Sequence, residues 1–95
     1  MGLEIKVDGA ADVAQAIARL AGEGFPCAVL MVDGQLVMPR APLPAAWREV
    51  RLKTPAGMVT LARKADGIAV LVFGNADAPL VAAQERVAAA LGHKT

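Results

Sequence analysis

Apolar positions along this chain change period several times, and each change marks an element. Leu3, Ile5 and Val7 alternate with Glu4 and Lys6. That two-residue period predicts a short strand with one buried face, ended by Asp8-Gly9. Val13, Ala16, Ile17 and Leu20 then recur at three and four residues, with Gln15 and Arg19 on the other side. This predicts a narrow, alanine-rich helix closed by Gly22 and Gly24. Next comes "VLMVDGQLVMP", residues 29–39. Asp-Gly between two apolar runs is the preferred corner of a hairpin, because both central positions take positive φ. Asp33 is therefore read as a turn residue. The predicted pairs are Val32 with Gln35, Met31 with Leu36, Leu30 with Val37 and Val29 with Met38.

Three prolines fall within residues 39–44. They exclude a helix interior and a central strand, so this stretch reads as an ordered connector, with one helical turn over Ala45-Ala46-Trp47 at its end. Glu49 to Lys53, Met58 to Lys64 and Ile68 to Phe73 form a predicted meander. Its corners are Thr54-Pro55-Ala56-Gly57, a type I turn, and a second Asp-Gly loop at Asp66-Gly67. The expected register sets Val50 near Leu61, Leu52 near Val59 and Leu61 near Val72. A second helix is capped by Asp77, accepts Pro79 in its first turn, presents Leu80, Gln84, Val87 and Leu91 on one face, and stops at Gly92. His93, Lys94 and Thr95 follow as a tail.

The pattern predicts an α+β fold: one domain over residues 1–95, with a mainly antiparallel sheet of five to six strands and two helices. The order is β-α-β-β-β-β-β-α. Its middle strands do not alternate cleanly. Ile68, Val70 and Val72 point one way and Ala69, Leu71 and Phe73 the other, yet both sets are apolar. The first hairpin behaves alike. An antiparallel sheet with one wet face should show apolar-polar alternation. If both helices cover one face, the other needs a cover of its own, and a second copy or a protein partner would supply it. If the helices flank the sheet, nothing is left exposed. Met31, Val37, Leu71 and Phe73 are the residues expected to line such a contact. Trp47 either closes a core edge or anchors a partner.

Composition sharpens this picture. Hydrophobic residues make up 56% of the chain, but only Phe25, Trp47 and Phe73 are aromatic. A chain this short buries about 60–65% of its unfolded surface, so its apolar content exceeds what two layers easily hide. Net charge is +1, which steers it to neither nucleic acid nor membrane. Arg40, Arg48, Arg51, Lys53, Arg63 and Lys64 nevertheless face only Glu49 across residues 40–64. A solvated sheet face is the plain reading. Arg51 and Lys53 are the candidates for an acidic protein partner, and a nucleic-acid surface is a further alternative that lacks stacking aromatics.

Catalytic chemistry finds little to work with. The chain has no Ser, no Tyr, one Cys and one His, His93. Neither a serine nucleophile nor a zinc site is expected. Gly22-Glu23-Gly24 ends a helix instead of opening one, and Asp77 occupies the cap after Gly74-Asn75-Ala76, so no cofactor loop is expected either. Asp33, Asp66 and Asp77 have turn or cap roles, which leaves Glu49 without a carboxylate partner. A small-ligand protein or minor enzyme subunit would instead need a pocket near Cys27 and Trp47. A single Cys, no basic-then-apolar leader, no 18-residue apolar run and Lys6 in place of a myristoylation Ser or Thr together point to the cytoplasm.

Two stretches bear a family likeness. "GMVTLARKADGIAVLVFGNADAPLVAAQERVAAAL", residues 57–91, and "AVLMVDGQLVMP" resemble the roadblock/LC7 family, in which a hairpin and a meander run into a final helix. Together they cover about half of the chain. The likeness rests on periodicity and turn residues. Pro39 to Pro44 stands where that family places a long helix, and Leu3 to Val7 is an additional strand. The resemblance implies a non-enzymatic dimer that docks small GTPases or scaffolds larger assemblies; no GTPase-contact residue is carried over.

Overall fold

A computed structural model describes residues 3–9, 11–38, 42–74 and 76–92. The expectations for Arg40, for part of the proline connector and for His93 fall outside them. The elements are β1 (Leu3–Asp8), α1 (Val13–Gly22), β2 (Ala28–Val32), β3 (Gln35–Leu36), β4 (Glu49–Thr54), β5 (Gly57–Lys64), β6 (Gly67–Val72) and α2 (Ala78–Leu91). The strands make one sheet in the order β1-β6-β5-β4-β2-β3, and neighbouring strands pair antiparallel. The α+β class and the order of elements are as the sequence predicts.

Local chemistry sets the boundaries. Asp12 caps α1 by accepting from the Gln15 N–H at 3.0 Å, and Asp77 caps α2 through the Leu80 N–H at 3.0 Å. Each satisfies one of the donors a helix start leaves open. Gly92 ends α2 in the left-handed region, with φ 112°, where a side chain would be strained. Thr54 closes the corner before β5: its hydroxyl donates to the Gly57 carbonyl at 2.7 Å and accepts from Ala56 N–H.

Both helices lie on one face of the sheet. Val13, Ala16 and Leu20 of α1 and Ala83, Val87, Ala88 and Leu91 of α2 share a single cluster with Val7, Val50, Leu52, Val59, Leu61, Ile68, Val70 and Val72. Those strand residues all point to the same side. The alanines let the helices sit close, and α1 also packs on α2. Gln84 is the one buried polar side chain that α2 sends into this layer. Its amide donates to the carbonyls of Leu3 at 3.0 Å and Val70 at 2.9 Å, tying the helix across the β1–β6 seam. Buried without those bonds, the amide would cost about 1–3 kcal/mol.

Two register expectations are corrected. Leu61 pairs with Val70, not Val72. The corner is Ala65-Asp66, and Gly67 already belongs to β6 opposite Lys64. Gly67 serves another purpose: a Cβ there would run into the carbonyl oxygen of Val7. The glycine lets β1 approach, so the Asp-Gly dipeptide marks a close strand contact and not the turn. The first hairpin is also shorter than predicted. Met31–Leu36 and Val32–Gln35 pair, and Val37 N–H donates to Leu30 at 3.1 Å, but β3 stops at Leu36. The ladder with β4 shifts between Val29 and Met31; this bulge at Leu30 breaks the alternation on which the Val29–Met38 pairing was based.

Gly67→Ala should cost about 3 kcal/mol by forcing backbone apart. Urea unfolding would measure it, and native-state hydrogen exchange should show β1 released first. A loss below about 0.5 kcal/mol would mean that β1 does not need this approach.

Candidate functional site

The second face of the sheet carries no helix. Strand register lays its residues out in rows. Lys6, Ala69, Ala62 and Glu49 lie side by side across β1, β6, β5 and β4. Glu4, Leu71, Thr60, Arg51, Met31 and Leu36 form the next row. Asp8, Gly67 and Lys64 flank the first; Met58, Lys53 and Ala28 flank the second. Ala69 is fully buried yet stands apart from the core cluster, as expected for a small residue between taller neighbours on the open face.

Of the sequence-derived candidates, Met31, Arg51, Lys53 and Leu71 share this face. Phe73, one residue past β6, continues it by alternation and is 60% exposed. Leu36 at 75% and Met58 at 39% exposure join them. Neither was among the contact candidates, although Met58 alternates with Val59 and Leu36 lies opposite Met31. Two candidates do not belong here. Val37 packs against the core on the helix side, because the hairpin ladder ends before it. Trp47 is 3% exposed. Its ring lies under the Arg63 guanidinium at 4.2 Å, and Arg63 also donates to the Ala45 carbonyl at 2.8 Å. Trp47 therefore closes the core edge and offers no anchor to a partner.

The alternative site was expected near Cys27 and Trp47. The groove beside Trp47 is lined by Ala11, Asp12, Val13, Ala14, Leu43, Pro44 and Ala45, without Cys27. The Cys27 thiol instead lies near the Phe25 carbonyl, at 3.6 Å. Burial raises its pKa and outweighs the lowering pull of Arg86. Among the described residues, no three His, Cys, Asp or Glu side chains gather as metal ligands would.

Asp33 has a structural role. Its backbone sits at φ 50°, followed by Gly34 at 82°, as a two-residue corner of this hand requires. Its carboxylate accepts from the N–H groups of Arg48 at 2.8 Å and Glu49 at 2.9 Å, and its own N–H donates to the Glu49 carbonyl at 2.8 Å. The hairpin tip is thereby clasped to the start of β4. The Glu49 and Arg48 amides, in that order, hold the carboxyl below its ordinary 3.8. Charges on the open face are interleaved: Glu49 pairs with Arg51 at 3.1 Å, and Lys6 with Asp66 at 2.6 Å.

No family model matches the chain, and neither the curated proteins nor the solved structures contain a match. No helix is long and apolar enough to cross a membrane, among the described residues.

Two outcomes follow from these groups. The carboxylate pKa of Asp33 is depressed in the fold, so its contribution is present above the unfolded pKa and lost as pH falls through the folded one. Asp33→Asn should lower the melting temperature at pH 7, and the gap to the wild type should close as pH falls below the ordinary carboxylate range; a gap independent of pH would remove the carboxylate from the clasp. Alkylation of Cys27 should stay slow at pH 7 and accelerate only above pH 9; an inflection near pH 7 would mark a reactive thiol.

Proposed function

We propose that this protein is a non-enzymatic interaction module, and that the open face of its sheet is the working surface. One observation carries this reading: both helices spend their apolar faces on the same side of the sheet, which leaves Leu36, Met58 and Phe73 exposed and Met31 and Leu71 half-buried on the bare side. Surfaces of this kind on small proteins mark contacts. Glu4 and Lys6 border the apolar residues on β1, and Glu49, Arg51 and Lys53 on β4 stand between Leu71 and Met31, a mixture of polar and apolar groups such as protein–protein interfaces carry. Acidic and basic side chains alternate, so a phosphate backbone meets no continuous positive stripe, and Phe73 alone offers a ring for base stacking. The likeness of residues 57–91 to the roadblock/LC7 pattern agrees with contact in place of catalysis. A cytoplasmic setting suits the free thiol of Cys27.

The test is comparative. Wild-type protein, a Leu71→Asp/Phe73→Asp variant and an Arg19→Glu control on α1 are immobilised and exposed to native extract. Proteins retained by the wild type, further copies of this chain included, should be retained by Arg19→Glu and lost from the open-face variant. Equal retention by all three would remove the open face as the working surface.

A further inference from the structure

We infer that the occupant of the open face is a second copy of this chain, stacked sheet on sheet about a two-fold axis that crosses the strands between the Ala69 and Leu71 rows. The inference rests on the interaction-module reading and names its partner. On the open side, β6 and its extension read Gly67, Ala69, Leu71, Phe73. The first two are small and the last two large. A two-fold axis between them sets Leu71 of one copy over Ala69 of the other, and Phe73 over Gly67. Leu71 then meets the small Ala69, while Phe73 lies over the Val7–Asp8 backbone that closes on Gly67; the large-on-small match at Leu71 is the self-complementarity an isologous interface demands.

Charge follows the same operation. Along β1 the open side reads Glu4, Lys6, Asp8, and along β4 it reads Glu49, Arg51, Lys53. Exchanging the two central rows brings Lys6 over Glu4 of the second copy, and Glu49 over Arg51. Opposite charges therefore meet on β1 and on β4, whereas an axis through either central row would set like charges face to face. Lys6 and Arg51 already hold exposed intrachain pairs, which are weak enough to share.

Area agrees. Six strands about 4.8 Å apart, five to eight residues long except for the two-residue β3, present roughly 520 Å² in projection. Side-chain relief raises this toward the ~800 Å² per partner of a stable complex. The axis across the strands keeps each strand over its own copy in the second protomer.

The experiment is a mixing assay read by light scattering across a 100-fold dilution. Wild type should be a dimer. Arg51→Glu and Glu49→Lys, each alone, set like charges face to face and should raise the dissociation constant about tenfold or more. Mixed in equal amounts, the two variants should dimerise within about threefold of the wild type, because each supplies what the other lacks. Thermal melts of the separate chains check that both remain folded, and Glu4→Lys with Lys6→Glu repeats the test on β1. A dimer that mixing does not restore would overturn this geometry. A wild-type monomer would overturn the second copy as occupant, and would leave the interaction-module reading to the retention experiment.

Discussion

Everything in this molecule follows from the shortage of helix. Two helices that pack together cover one side of the six-stranded sheet and leave the other bare. Placing them together on Val7, Val59, Leu61, Val70 and Val72 gives a dry layer with close helix–helix packing. The same choice exposes the opposite side. The core and the exposed strip are therefore one decision, written into alternate residues of the same strands.

The polar groups inside the fold serve that layering. Gln84 fastens α2 to the seam between the first and last strands, and Arg63 lies over Trp47 where the connector meets the sheet. Asp33 does comparable work at the hairpin tip, where its carboxylate holds two amides of the neighbouring strand. None of these residues needs a catalytic explanation. Their bonds are used up in keeping edges of a thin, two-layer structure in place.

Much of this was legible in the sequence, and the failures have physical reasons. Periodicities of two and of three to four residues located the strands and helices, and Asp77 with Pro79 and Gly92 bounded α2. The apolar character of Leu71 on the far side of β6 signalled an uncovered face. Register was harder. Asp66-Gly67 resembles a corner, but which neighbouring strand presses on Gly67 is a tertiary fact that no local pattern contains. Val37 was misplaced because the hairpin ladder stops at Leu36, and nothing in an apolar run marks where a ladder will stop. Trp47 was ambiguous because an isolated aromatic after a proline-rich stretch carries no period at all. Met58 and Leu36 were recoverable: each lies on the strand face that includes Arg51.

The pairing of β1 with β6 also has a kinetic side. Residues 3–8 find their partners at 67–72, so the outer seam joins segments about sixty to seventy residues apart in the chain. On the ribosome β1 is made before its mate, and its N–H and C=O groups wait unpaired until β6 follows. Such high contact order slows the final closure and leaves an edge open to wrong partners. Glu4, Lys6 and Asp8 alternate along that waiting strand, and their charges are the kind of protection an unpaired edge requires.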